Sequence, residues 1–497
     1  MTAMSIDPRT IKIERALILL DRTSGASRQR QLTDQLRRAI IDGSIGLGAT
    51  LPSVREISAE LEVSRSTVVR CFEELASQGY IVTSIGSGTS VCKRLPGKLS
   101  ENEITPRVIS NENLRTSKVA LSRYSSRILN VSEVGSPKTA RSLNPGGPPS
   151  EAAPIRKWRE LLQRHCRQNL NQTECGTDSF GLPPLREAYA AYLMRKRALQ
   201  CSAKQVIVFS AREMRLDLIA RILLREGDAV AVENPGYPAV RQRLIANGAR
   251  VIPVPVDHQG LNVDYLDTIR ERVRLVYVTP SHHEPTGAVM PLSRRRKLIE
   301  WANQNSAFII EDDYDSEFRY DGRQIPSLQG LDETDSVIHL SCLWKILSPV
   351  SKIGFLTIPN CLIDVFQATK TLVERDMSLI EQFVLADFIN EGHLERVIAA
   401  NRKVYAARRR LLVDALRKHV SALSMASESA GMDLFVKFHS DHHEALLIAK
   451  AEEAGFTIIP VGPYYLTGAG KNEFVIPFSH LDEKLIEPMI QKFGSSI

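Results

Sequence analysis

Residues 51–91 read LPSVREISAELEVSRSTVVRCFEELASQGYIVTSIGSGTSV, and the punctuation of this stretch decides what the first part of the chain becomes. Leu51-Pro52 is a helix break, since proline lacks an amide donor and biases the residue before it away from helical backbone. Ser53 stands three residues before Glu56, the spacing at which each side chain caps an orphan backbone N–H of the other residue. A helix from there to about Leu61 is expected. Glu62-Val63 make a short turn, Ser64 caps a further helix, and Val68, Val69, Phe72 and Leu75 form its inner face until Gly79 ends it. Two short helices across a tight turn are a helix-turn-helix, whose second helix enters the major groove of duplex DNA. Its polar side carries Arg65, Ser66, Thr67 and Arg70, within reach of bases and phosphates. Residues 80–83 and 89–92 read as a hairpin around 84–88, where Gly86 and Gly88 permit a tight turn. Upstream, Leu32, Leu36, Ala39 and Ile40 give 29–42 one apolar helical face, closed by Gly43.

The charge supports this reading of the head. The chain of 497 residues carries a formal net charge of +7, and the whole excess lies in 1–141, where 21 Lys and Arg face 14 Asp and Glu. A basic head on a neutral body points to a polyanionic partner for the head alone. With 43% hydrophobic and 24% charged residues the chain has ordinary globular composition. It has no apolar run of the roughly 18 residues a membrane span needs, and 1–8 lack a basic stretch leading into an apolar one, so a cytoplasmic protein without membrane partners is expected. Seven scattered cysteines, never spaced C-x-x-C, indicate neither a disulfide framework nor a metal site.

Over its whole length the 51–91 stretch resembles the winged helix-turn-helix of GntR-type bacterial transcription regulators. The resemblance implies that Arg55, Arg65, Ser66, Thr67 and the wing glycine Gly88 lie at the DNA, with Gly88 letting the backbone approach the minor groove. The DNA-binding domain is taken as 10–94. Residues 95–141, rich in Ser, Asn, Thr, Arg and Lys, read as a mostly extended linker with a possible short helix over 119–131. Arg107, Arg115, Lys118, Arg123 and Arg127 serve there as solvated spacer charges or add weak phosphate attraction.

From 142 onward, short apolar runs at 206–209, 229–233, 251–254, 275–279, 308–311, 337–340 and 354–358 alternate with long amphipathic segments. This is the pattern of an α/β domain with a mostly parallel sheet covered on both faces, a large part to about 359 and a C-terminal subdomain over 360–497. Three motifs sit at strand ends: FIIEDDYDSEF with Asp312, Asp313 and Tyr314; VTPSHHEPTG with His283 and Thr286; and HLSCLWK ending in Lys345. A lysine for an imine, an acid for a pyridinium proton and a phenol near the ring oxygen are what pyridoxal phosphate asks of a protein. Their order, with 33 residues from Asp312 to Lys345, resembles fold-type I aminotransferases. The whole chain resembles the MocR subfamily of GntR regulators, which fuse such a head to such a body. The resemblance implies a Schiff base at Lys345, Asp312 on the pyridine nitrogen, Tyr314 on the ring hydroxyl, Tyr237 near the ring, and His283 and Thr286 on the loop edging it.

Departures from that pattern gather at the phosphate end. Trp344 stands where Ser or Thr is usual, Lys352 where Arg is usual, and Ala211, Arg212, Glu213 and Met214 replace a Gly-Ser-Gln-Gln-like cradle. Arg212 substitutes a charge for a hydroxyl, opposed by Glu213. CGTDSFG replaces a Tyr-containing turn, and Glu284 precedes Pro285 where amides or aromatics are common. A pyridoxal phosphate site with a weakened phosphate end is expected. Aminotransferases of this fold usually hold the substrate carboxylate with a C-terminal Arg, but no arginine follows Arg417. The expected function is therefore a homodimeric operator-binding regulator sensing a small amine or amino-acid-like effector, not a productive enzyme. The alternatives are a regulator without the cofactor and an active aminotransferase.

Overall fold

The computed structural model describes residues 18–21, 25–84, 88–94, 121–132, 154–167, 178–321, 325–426, 430–439, 442–468 and 470–497, and structural statements refer to these. The chain divides into two compact units, 1–119 and 120–497. The expected linker residues Arg107, Arg115 and Lys118, the wing residue Gly86 and residues 175–177 of CGTDSFG lie outside the described residues.

In the first unit, helices Arg28–Ile41, Val54–Glu60 and Arg65–Ser77 pack around Leu32, Leu36, Ile40, Ile57, Val68, Phe72 and Leu75. The capping box is formed: Ser53 N donates to Glu56 Oε2 at 2.7 Å, and Glu56 N donates to Ser53 Oγ at 3.3 Å. Glu62, in left-handed backbone (φ 52°), turns the chain between the second and third helices. The hairpin is β2 (Ile81–Ser84) and β3 (Gly88–Val91). A third strand, β1 (Thr50–Leu51), pairs with Ser90 and Thr89 of β3, so the segment read only as a helix break also widens the wing sheet.

In the second unit, β4 (Val206–Phe209), β5 (Ala229–Asn234), β6 (Arg250–Asp257), β7 (Gly260–Leu261), β8 (Val273–Val278), β9 (Phe308–Asp313), β10 (Val337–Cys342) and β11 (Gly354–Thr357) form one sheet in the order β4-β11-β10-β9-β8-β5-β6-β7. The pairs β10–β9, β9–β8, β8–β5 and β5–β6 are parallel, while β11 is antiparallel to both its neighbours. Alternation serves both faces: Leu275 and Tyr277 join the cluster under helix Met214–Leu223, and Val276 and Val278 join the one under helix Leu292–Gln304. Each fully buried Val or Leu contributes about 1.5–3 kcal/mol, so the sheet anchors the unit. A second sheet, β12 (Leu423–Ala426), β13 (Asp433–Phe438), β14 (Ile459–Pro460) and β15 (Glu473–Pro477), is antiparallel in the order β12-β13-β15-β14. No helix among the described residues is long and apolar enough to cross a membrane.

The helix within the expected linker runs Arg123–Ser132 and packs on helix Pro238–Ala246 of the second unit. Arg123 and Arg127, read from sequence as spacer charges, instead reach Glu226 at 3.1 and 2.5 Å. Gln242 Nε2 also donates to the carbonyl of Val131 at 3.5 Å.

Candidate functional site

On the first unit, Ser64 caps the third helix through the Thr67 amide at 3.2 Å, and its hydroxyl also meets those of Ser66 (2.8 Å) and Thr67 (2.7 Å). This orders the first turn before any partner arrives. Arg55, Arg65, Ser66 and Arg70 are exposed, while Val68 beside them is fully buried and fixes which side faces out. Gly88 has φ +84° with open space where a Cβ would stand, a backbone that favours glycine.

On the second unit, parallel strands deliver the chemistry to one edge. Register pairs Leu340 of β10 with Asp312 of β9, so Asp312 and the short helix Trp344–Leu347 that follows β10 emerge together. β5 leads to Tyr237, and β8 leads to the loop carrying Glu284. Carboxyl ends of adjacent parallel strands are where α/β folds build sites. Here Tyr237, Glu284, Asp312, Tyr314, Cys342, Trp344 and Lys345 line a cavity of about 180 Å³ with Arg212, Glu213, Arg215 and Arg243.

Lys345 is the buried centre. Its Nζ lies 4.7 Å from the Tyr314 ring centroid and 3.8 Å from both Asp315 Oδ2 and Asp433 Oδ2. Burial pulls the lysine pKa down, but Asp315, Asp433 and Glu284 outweigh it and hold the group above its ordinary value. Glu284 is pushed up to about 7, by burial first, with Lys345 opposing and Asp433 and Asp315 adding to the rise. Asp312 Oδ2 accepts from the Tyr277 hydroxyl at 2.5 Å, which fixes its carboxylate. The Tyr314 hydroxyl lies 3.1 Å from His282 Nδ1, and that ring is 2.9 Å from Asp315 Oδ2. Gly431 (φ +85°) is needed against this ring, because a Cβ there would stand 2.0 Å from His282 Cε1.

The opposite end is cationic. The Arg212 guanidinium lies 4.1 Å from the Trp344 ring centroid and pairs with Glu213 at 2.8 Å. Arg215 is spent on backbone carbonyls, those of Ser341 (2.5 Å), Phe355 (3.0 Å) and Arg212 (2.8 Å). Gly354 makes room for that arrangement, since a Cβ would come within 2.7 Å of Arg212 Cα. Trp344 Nε1 is buried without a hydrogen-bond partner, a donor left for something in the cavity.

Two expected site residues stand elsewhere. Lys352 is exposed between buried Ser351 and Ile353, because alternation in the segment entering β11 sends it to solvent. His283 sits behind the wall: its Nε2 meets the Pro235 carbonyl at 3.0 Å and its Nδ1 meets Thr286 Oγ1 at 2.8 Å. Burial lowers its pKa to about 3, so the ring is neutral and structural. Conversely, Tyr277, His282, Asp315 and Asp433 escaped the sequence reading. Asp315 lies within FIIEDDYDSEF and His282 within VTPSHHEPTG, but nothing local marks Asp433.

The pocket suits pyridoxal phosphate at the ring end, where lysine, acid and phenols converge, and it offers an anion Arg212, Arg243 and the unpartnered indole N–H at the other. Fold and site together define a winged helix-turn-helix joined to a fold-type I aminotransferase-like body. The model for bacterial regulatory proteins of the gntR family matches 28–91, and that for aminotransferase class I and II matches 143–493. The probable rhizopine catabolism regulatory protein MocR of Rhizobium meliloti is 31% identical over 97% of this chain and 96% of its own. The pyridoxine biosynthesis transcriptional regulator PdxR of Corynebacterium glutamicum is 28% identical over 94% and 95%. LysN, an α-aminoadipate aminotransferase from Thermus thermophilus, shares the fold of the body with a TM-score of 0.66 at 24% identity, covering 77% of this chain and 97% of that one. The chain belongs to the MocR-type transcriptional regulators, GntR heads fused to class I and II aminotransferase domains.

Proposed function

We propose that this DNA-binding regulator senses a small amine in the Lys345 pocket and passes the occupancy of that pocket to its head. The observation that carries the reading is the position of the helix Arg123–Ser132, in the stretch leading from the head. It lines a groove with Glu213, Ala239 and Arg243, which also wall the Lys345 cavity. Pyridoxal phosphate, when bound, supplies an aldehyde that condenses with amines. Lys345 would be the attachment point, Asp312, held by Tyr277, would serve the ring nitrogen, Tyr314 and Tyr237 would hold the ring, and Arg212 with Arg243 would meet the phosphate. Asp433 belongs to the second sheet and Lys345 to the short helix that follows β10 of the first, so their pair bridges the two subdomains. A ligand that changes this pair changes subdomain closure, and it shifts the equilibrium only by its differential affinity for the two states.

Glu213 pairing with Arg212, and Trp344 in place of a hydroxyl, support a cofactor held less firmly than in an enzyme, or a second reading in which none is held. Incubation with amino donors and a keto acid is expected to give no sustained product. Many turnovers per site would make the protein an enzyme.

In the head, Arg65, Ser66, Thr67 and Arg70 face the major groove, Arg55 the backbone, and Gly88 the minor groove. Arg65→Ala is expected to weaken specific binding by about 1–3 kcal/mol in a gel shift. Unchanged affinity for the operator would move the reading helix elsewhere. A homodimer supplies two heads to two half-sites.

The linker contact gives a separate test. Arg123 and Glu226 are exposed and Arg127 partly so, a setting in which such pairs contribute about 0–1 kcal/mol to stability. Glu226→Lys should therefore leave the fold and effector affinity intact while the change in DNA affinity on effector binding falls toward none. Full coupling in this variant would show that the signal takes another path.

A further inference from the structure

The Lys345 cavity is bipolar. Its basic groups, Arg212, Arg215 and Arg243, come from the segment 211–215 and helix Pro238–Ala246, whereas the other side of Lys345 is acidic. There Glu284 lines the wall, and Asp315 and Asp433 stand 3.8 Å from Nζ on separate elements. Three carboxylates face one ammonium. Two buried polar groups nearby remain unspent. Asp433 Oδ1 has no hydrogen-bond partner, and neither has the hydroxyl of Tyr464, a residue only 1% exposed. Tyr464 packs in one cluster with Tyr237, which lines the cavity, and the acidic groups that act most on it are Glu284, then Asp433, so it stands beside this end. The adjoining strand β15 offers no cation for an α-carboxylate: Val475 packs with Ile459, Val461 and Tyr464 in an apolar cluster joined by Tyr237 and Tyr465. No arginine occurs after Arg417. Arg409 lies 5.6 Å from the Tyr320 ring centroid and does not line the cavity.

Resting on the amine-sensing reading above, we infer that the effector is a diamine without an α-carboxylate, its second ammonium held by Glu284 and Asp433 with the Tyr464 oxygen accepting a further hydrogen bond. Holding this second ammonium changes no covalent bond. Water is a poor competitor there, because a buried, unpaired carboxylate oxygen gains more from a cation than an exposed one does. An α-amino acid would instead bring a carboxylate toward three others.

The test uses the full-length holo-protein and four probes: 1,4-diaminobutane, 1,5-diaminopentane, n-butylamine and L-norvaline, the last being n-butylamine with an added α-carboxylate. Affinity is read from the change in the cofactor's visible absorption and, independently, from equilibrium dialysis. At least one diamine is expected to bind about tenfold or more tightly than n-butylamine, the scale of one charge-assisted contact, and L-norvaline more weakly than either. Asp433→Asn and Glu284→Gln should each bring the diamine-to-monoamine ratio toward one. Diamine and monoamine binding alike, L-norvaline binding best, or a ratio unmoved in both variants would overturn the second-cation site while leaving amine sensing in place. If no probe binds by either readout, the amine-sensing reading fails with it.

Discussion

Lys345→Ala is expected to abolish covalent attachment of pyridoxal phosphate entirely. After borohydride reduction, mass spectrometry should find the pyridoxyl mass on Lys345 in the native protein and nowhere in the variant. The loss should extend to non-covalent retention. In an enzyme with a full cradle the phosphate alone keeps much of the cofactor in place, and each charge-assisted contact there is worth about 1.5–3 kcal/mol. Here Arg212 is already paired with Glu213 at 2.8 Å, Arg215 is committed to three carbonyls, and Lys352 is turned to solvent. The variant should therefore emerge from dialysis without cofactor while its head still binds DNA, which controls for gross misfolding. A native protein that carries the mass on another lysine, or on none, would displace Lys345 and favour a regulator that works without the cofactor.

The site was legible in the sequence wherever a short segment carries the signal itself. Ser53 and Glu56 name their own helix start, and an acid at the end of the apolar run 308–310, Asp312 within EDD, states that it is not there for packing. Lys345 and Asp312 come together because their strands are parallel neighbours, which alternation of strands and helices already implied. Legibility failed where partners are remote or where orientation decides. Asp433 lies 118 positions beyond Asp315, on another sheet, and no local pattern ties the two. Tyr277 sits in an apolar strand, VRLVYV, where its hydroxyl looks incidental until the register puts Asp312 beside it. His282 and His283 are adjacent, and only the turn decides that the first meets Tyr314 while the second braces Pro235. Arg123 and Arg127 looked like spacer charges because Glu226, their partner, is about a hundred residues away.

The largest loss of stability from a single side chain is expected at Asp313, the neighbour of the cofactor acid. Arg197 Nε donates to Asp313 Oδ2 at 2.7 Å, both side chains about 95% buried, and the same guanidinium donates to Ser281 Oγ (2.6 Å) and the Ile325 carbonyl (3.2 Å). His339 Nε2 lies 3.4 Å from the same carboxylate. Asp313→Ala leaves the guanidinium buried without its counter-ion, a change that costs about 3–5 kcal/mol, whereas replacing both partners by apolar residues is often near neutral. Arg197→Met with Asp313→Leu should accordingly recover most of the loss, and the double-mutant cycle isolates the pair. All three tryptophans, Trp158, Trp301 and Trp344, belong to the second unit, so their fluorescence follows its unfolding without interference from the head. The pH dependence has a definite sign. Burial pushes the Asp313 carboxyl up, but Arg197 and His339 more than offset it and hold its pKa below the ordinary value. A depressed carboxyl contributes stability that is complete above its unfolded pKa of about 3.9 and is lost as the pH falls toward the folded value. The gap between native protein and Asp313→Ala should thus be constant near neutrality and narrow below about pH 4. A gap that widens in acid, or an Asp313→Ala variant as stable as the native protein, would mean that this pair does not anchor the strand end on which Asp312 stands.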